Sequence, residues 1–319
     1  MKSVRSYIWP VIGLAAVVFS AFLLYREIRG ISFEEIGDSL YAIPAHRWAL
    51  AVGATLAAYG ALAWYDRIAL LHLGRRISWP FIALCSFTTY ALSHNIGASV
   101  LSGAVVRYRA YSTQGLAAAE IGILVALCSL TFALGSIMLG GFVLLVHPEL
   151  PQRFFDIPPW VSIVAGAVML ALVALYVAGS WLQLRPLTVA GFRIYYPRLK
   201  VVLRQLIAAP LEILGAAAII FFALPAHSNP GFIIVLGIFL ASFSVALISH
   251  APGGLGVLEF VFLTAMPDSQ TAEVLAALIV FRLFYLLIPL AIALVVVVLF
   301  ERSQLSAPLS EAPPGGEGR

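Results

Sequence analysis

The chain has 319 residues, of which 62% are apolar and only 11% charged, with a mean hydropathy of +1.00. A soluble domain carries about 25% charged and about 45–50% apolar residues, so this chain cannot clothe a globule of its size in water. That excludes a soluble enzyme, a disordered chain and a nucleic-acid binder, and the net charge of +4 reads as membrane topology rather than a polyanion site.

A membrane-crossing helix needs about 20 mostly apolar residues. Candidate runs follow one another at 7–25, 48–72, 79–93, 117–146, 160–183, 205–225, 230–249 and 271–300. The first follows Lys2 and Arg5 without a small-residue cleavage site, so it reads as a retained signal anchor. Next, Ile31, Phe33, Ile36, Leu40 and Ile43 recur at helical spacing, with Glu34, Glu35 and Asp38 elsewhere. This predicts an amphipathic helix lying in the interface. Cys85 and Cys128 sit in apolar runs without ligand spacing and read as small buried hydrophobes. Residues 1–302 form one membrane domain, and the Pro-, Gly- and Ser-rich segment 303–319 is expected to be a disordered tail.

Two apolar regions are broken by glycine-rich stretches. One runs Ala91-Leu-Ser-His-Asn-Ile-Gly-Ala-Ser-Val-Leu-Ser-Gly103 and the other Ala246-Leu-Ile-Ser-His-Ala-Pro-Gly-Gly-Leu-Gly256. Both place Ala-Leu and then Ser-His before the break, about half a chain apart, which raises an internal repeat. Corresponding breaks in two halves point to a transporter-like binding site. Irregular backbone is tolerated at membrane depth only where protein or water satisfies it.

The basic residues bear on the topology. If all eight runs cross, eight basic residues fall on one side and ten on the other, which gives no orientation. If 79–111 and 230–267 are re-entrant hairpins entering from opposite faces, the count becomes fourteen inside against Arg26, Arg29, Arg47 and Arg153 outside. The arm 79–93 is also short, at about 22 Å for a roughly 30 Å core. The preferred fold is thus all-α and polytopic, with six full spans and two re-entrant hairpins, a candidate inverted repeat. Eight plain spans is the alternative.

Ionisable groups inside the apolar layer are costly and mark function or tight pairing. Glu120, Glu212, Glu259 and Arg282 fall there. Glu259 is the natural partner of Arg282, because the loop 267–270 folds its segment back beside the last run; Glu120 and Glu212 are the alternatives. The pair reads either as a lock between helices or as part of a polar cavity with a proton relay. Glu120 and Glu212 are candidate coupling groups. His94 and His250 fit the satisfaction of broken backbone better than metal ligation, since spacing suggests no third His or Cys ligand. Arg107-Tyr108-Arg109 is either an interfacial anchor or a phosphate-binding fork. The basic cluster from Arg185 to Arg204 reads as an anionic-lipid-facing surface. Gly253-Gly254-Leu255-Gly256 lacks the strand and the Lys-Ser/Thr of a phosphate loop, so no nucleotide or other cofactor is expected.

Leu101-Ser-Gly-Ala-Val-Val-Arg-Tyr-Arg-Ala-Tyr111 with Gly115-Leu116 resembles a signature of the membrane domain of the lysylphosphatidylglycerol synthetase/flippase proteins, the multiple peptide resistance factors. Thr131-Phe-Ala-Leu-Gly135 and Pro252-Gly-Gly-Leu-Gly-Val-Leu-Glu259 resemble later motifs in the same order. Ala104 stands where the family usually has a second glycine. The resemblance covers most of residues 1–302. About 17 residues follow the last span, so the synthetase domain is not expected and the synthetase activity does not carry over.

What the resemblance implies is a multi-pass protein of the bacterial inner membrane that moves phospholipid between leaflets. The residues expected to serve lipid are Arg107, Tyr108, Arg109, His94, Asn95, Ser249, His250, Pro252, Gly253, Gly254, Glu259 and Arg282. Arg107 and Arg109 would receive phosphate on the inner side, and Glu259 with Arg282 would open or close the path. Membrane phospholipids are the expected partners. A homo-oligomer and a separate lipid-modifying enzyme stay open, and the alternative function is an accessory protein or enzyme of lipid or hopanoid modification.

Overall fold

A computed structural model describes residues 33–96, 99–183, 187–189, 192–194, 197–249 and 252–306. The 7–25 anchor, Gly97, Arg185, His250, Ala251 and the tail from 307 lie outside the described residues.

The amphipathic segment forms α1 (Phe33–Tyr41), with none of its residues buried. The first long helix is α2 (Ala45–His72). It leads into α3 (Trp79–Ile96) and α4 (Ser99–Ser112), followed by α5 (Ala118–Val146) and α6 (Pro159–Trp181). A two-stranded antiparallel ribbon, β1 (Leu187–Val189) with β2 (Phe192–Ile194), pairs Thr188 with Arg193. This ribbon lies within the basic cluster and was not expected from the sequence. Then come α7 (Leu199–Ala223), α8 (Phe232–Ser249), a short turn at Pro252–Gly254, and α9 (Val257–Ala265). The last span is α10 (Thr271–Phe281), a π-helical segment (Arg282–Leu287) and α11 (Ile288–Ser306). The last helix therefore runs beyond residue 302, where the tail was expected to begin; no helix breaker occurs before Pro308.

Six of these segments are long and apolar enough to cross a membrane: 45–72, 118–146, 159–181, 199–223, 232–249 and 271–300. The helices α2 and α7 form the centre and run antiparallel. Tyr65 donates to the carbonyl of Ala209 at 3.2 Å, and Arg47 to that of Leu224. A Cβ on Gly215 would lie 2.9 Å from the carbonyl oxygen of Ala54, so glycine is what lets the two backbones approach there.

The helix ends gather on two faces. On one, Phe81 at the start of α3 packs on Tyr111 near the end of α4, with ring centroids 5.9 Å apart. There Arg75 before α3 also pairs with Glu120 at the start of α5, at 2.8 Å. So α3 and α4 form a hairpin that enters from and returns to one face. On the opposite face, Ser269 after α9 donates to Ser228 O before α8, at 3.2 Å. Arg153 reaches Ala265 O at the end of α9, at 2.5 Å. Thus α8 and α9 form a second hairpin, entering from the opposite side.

The first face carries Arg75, Arg76, Arg198, Lys200, Arg204 and Arg302, and the second Arg47 and Arg153. The positive-inside bias assigns the first face to the cytoplasm. The unit α2–hairpin–α5 is thus repeated, upside down, as α7–hairpin–α10/α11, with α6 between the two. Packing of α2 antiparallel to its counterpart α7 is what a two-fold axis in the membrane plane requires.

Candidate functional site

The two hairpins meet. The tip of α3 packs against the Pro252–Gly254 turn and the π segment of the last span. Gly253, Gly254 and Gly256 have φ of 59°, 62° and 77°, a left-handed backbone that side-chain-bearing residues adopt at a cost.

The break leaves backbone groups without helical partners, and charged side chains supply them. Arg282 Nη1 donates to Gly253 O at 3.0 Å and Nη2 to Gly254 O at 3.3 Å. The same guanidinium pairs with Glu259, through Nε at 2.6 Å and Nη2 at 2.5 Å. Glu259 closes the circuit by accepting from Gly256 N at 2.9 Å, which caps α9. The partner expected for Arg282 is therefore the one found, and neither Glu120 nor Glu212 takes its place. The pairing also explains how a cation is held inside an apolar layer: all three guanidinium nitrogens find acceptors.

The last span has a matching defect. Pro289 has no N–H, so the carbonyl of Tyr285 loses its i+4 donor. Tyr59 of α2 supplies the missing donor at 2.9 Å, and Asn95 at the first hairpin's tip donates to Leu286 O at 3.1 Å. His94 stacks on Tyr285 with centroids 5.2 Å apart, and its Nδ1 is buried without a hydrogen-bond partner among the described residues. Tyr285 donates in turn to Glu212 Oε1 at 2.5 Å, while Glu212 Oε2 is buried with no hydrogen-bond partner among the described residues. His94, Asn95, Gly253, Gly254, Glu259 and Arg282 thus gather at the meeting point, with Glu212 one tyrosine away. Ser249, at the end of α8, returns its hydroxyl to Ala246 O at 3.0 Å.

The Arg107 group lies nearer the cytoplasmic face and differs from expectation. Arg107 is 4% exposed, and its fork is bound inside the protein. Nη2 meets Asp66 Oδ1 at 2.7 Å and Nε meets Oδ2 at 3.2 Å. Tyr111 donates to Asp66 Oδ2 at 2.9 Å, and the guanidinium lies 4.8 Å from the ring centroid of Tyr90. Arg107 therefore ties the first hairpin to α2, and its donors do not face the membrane. Tyr108 and Arg109 are exposed on the same helix.

Asp66 escaped the sequence reading because Tyr65-Asp66-Arg67 lies near the end of an apolar run and reads as interfacial charge. The available signal was a carboxylate six residues inside that run and an arginine elsewhere in need of a partner. Glu120, expected as a coupling group, instead begins α5 at the cytoplasmic face. It accepts from Ala117 N at 2.9 Å and from Arg75 twice at 2.8 Å. Its place near the start of its run was the signal for a first-turn carboxylate. No group of three metal-ligating side chains occurs among the described residues.

Residues 12–293 match the model of the lysylphosphatidylglycerol synthase transmembrane region. The chain belongs to that family. Among its relatives is an Escherichia coli protein described as inner membrane protein YbhN, 31% identical over 255 residues and matched over 79% of each chain. A Synechocystis protein, slr0712, is 29% identical over 283 residues, or 88% of each chain. A Staphylococcus haemolyticus phosphatidylglycerol lysyltransferase is 26% identical over 291 residues, which are 88% of this chain but 33% of that protein. Family membership and the six apolar helices place this transmembrane-region protein in the bacterial inner membrane as a multi-pass protein related to lipid modification or flipping.

Proposed function

We propose that this protein carries a phospholipid between the two leaflets of the inner membrane. The observation that carries the reading is that two helical hairpins enter from opposite faces and touch at their tips, around a charged and incompletely satisfied polar seam. Broken helices meeting within the bilayer are how transporters build a polar site in an apolar layer.

In this reading a lipid head group moves along the seam while its chains stay in the bilayer. Buried hydroxyls of Ser86 and Thr88 line the first hairpin without hydrogen-bond partners among the described residues, in keeping with a hydrated path. Tyr108 and Arg109 meet the phosphate at the cytoplasmic mouth, and Arg107 acts as a positioning residue. The Glu259–Arg282 pair is the gate. Its opening would free the carbonyls of Gly253 and Gly254, so pairing and turn geometry change together. Glu212 is the coupling group, with one oxygen engaged by Tyr285 and the other without a hydrogen-bond partner among the described residues.

The test is leaflet exchange of a labelled phosphatidylglycerol in liposomes containing the purified protein. Accelerated exchange is expected, slowed by Arg282→Ala. Folded protein that leaves exchange at the protein-free rate for phosphatidylglycerol, phosphatidylethanolamine and phosphatidylcholine overturns the reading. The match to part of a phosphatidylglycerol lysyltransferase favours a second reading, membrane partner of a lipid-modifying enzyme. Changed lipid composition with unchanged leaflet distribution on deletion would support it instead.

A further inference from the structure

Asp66 and Arg67 are adjacent on α2 but point to opposite sides. Asp66 turns into the protein toward Arg107, while Arg67 is exposed on the outside of the helix. There the guanidinium of Arg67 lies 5.1 Å from the ring centroid of Trp79, the first residue of α3. No carboxylate pairs with it among the described residues. A groove of about 590 Å³ opens beside it, floored by Ala57, Gly60 and Ala61 and walled by Trp64, Trp79 and Leu211 of α7. That volume falls within the range of ligand sites, about 300–1,000 Å³.

Depth identifies what fits. The 28 residues of α2 span about 42 Å, close to a whole bilayer with its head groups. Arg67 lies five residues before the helix end, about 7–8 Å in, near the boundary between head groups and hydrocarbon. Beyond it the small residues Gly60 and Ala57 continue toward the membrane centre. A cation at phosphate depth, braced on a tryptophan and followed by an apolar trough, matches one class of ligand.

We propose that this groove is a docking site for an anionic phospholipid of the cytoplasmic leaflet. The Arg67 fork takes the phosphate, and one acyl chain lies over Gly60 and Ala57 against Leu211. An arginine fork suits phosphate oxygens in a way that the compact charge of lysine does not. The phosphate also supplies the acceptors that the lipid side of the helix otherwise denies this guanidinium. The site is separate from the hairpin seam and does not depend on transport.

Binding of phosphatidylglycerol and phosphatidylcholine to the purified full chain in detergent, counted by native mass spectrometry, tests it. Arg67→Gln should weaken phosphatidylglycerol binding about tenfold or more, as for loss of a charge-assisted hydrogen bond, and Arg67→Lys should restore it only in part. Gly60→Leu should weaken it too. A Cβ at Gly60 meets nothing within 4 Å, so a side chain can leave the helix there and enter the groove, and an unfolding midpoint near the parent's checks that the fold is kept. Inorganic phosphate should not compete. Parental affinity in both Arg67→Gln and Gly60→Leu overturns the site. So does competition by inorganic phosphate, or a loss in Arg67→Gln with parental affinity in Gly60→Leu. Failed leaflet exchange with binding retained would sink the transport reading alone.

Discussion

Asp66 and Arg107 face each other across two N–H···O contacts of 2.7 and 3.2 Å, with Asp66 fully buried. The carboxylate also accepts from Tyr111. This arrangement joins the return arm of the first hairpin to the central helix of its own half. In the second half, the return arm is joined by Glu259 to the span that follows it. Each hairpin is thus anchored by one ion pair, with the signs exchanged between the halves.

Removing one member of a buried pair leaves an uncompensated charge, which costs about 3–5 kcal/mol. Arg107→Ala and Asp66→Ala should each lower stability by about that much, and the double variant by less than their sum. Thermal unfolding in detergent reads this directly. Glu120→Ala breaks an exposed pair and one backbone contact at the start of α5, and should lower the unfolding midpoint far less than Asp66→Ala. Equal effects at Asp66 and Glu120 would contradict the anchoring role.

The gate pair makes a sharper prediction. A Glu259→Arg, Arg282→Glu exchange preserves the charges but removes the donors to the carbonyls of Gly253 and Gly254. It also removes the acceptor that caps Gly256 N. The exchanged protein should therefore remain as impaired as Arg282→Ala, both in unfolding midpoint and in leaflet exchange. Recovery to parental values would mean that charge alone matters.

The spans among the described residues, both hairpins and the Glu259–Arg282 pair were legible because each leaves a local mark: a long apolar run, a glycine-rich break, a charge in the wrong layer. What was hidden is relational. Arg107 looked like a free fork because its partner lies 41 residues earlier in the chain. The donors from Tyr59 and Asn95 to the last span were hidden in the same way, although Pro289 announces that a carbonyl near Tyr285 needs one. The meeting of the hairpins depends on the antiparallel docking of α2 and α7, which small residues permit but do not announce.

The seating of α7 can also be probed where it crosses α5. A Cβ on Gly135 would lie 2.7 Å from Ala209 Cβ and 2.9 Å from its carbonyl carbon, so the helices must part to admit it. Gly135→Val should destabilise by about 1–3 kcal/mol, the usual cost of overpacking, or more because backbone is involved. Gly122, on the same helix, has nothing within 4 Å. Gly122→Ala should be neutral or stabilising by up to about 1 kcal/mol. Unfolding midpoints of the two variants check the contrast.

The turn between α8 and α9 separates backbone strain from crowding. Gly74 and Gly254 have φ of +71° and +62°, but only Gly254 has close neighbours. Its added Cβ would lie 3.0 Å from Leu258 Cδ1 and 3.3 Å from Ala246 Cβ. Alanine at Gly74 should cost only the left-handed conformation, about 1–2 kcal/mol. Alanine at Gly254 should cost that and more, and it should displace the carbonyl that Arg282 holds. Gly254→Ala is then expected to slow leaflet exchange more than its loss of stability explains, while Gly74→Ala leaves exchange by folded protein unchanged. Matching unfolding midpoints with matching exchange rates would show that the turn is a connection and not a moving part.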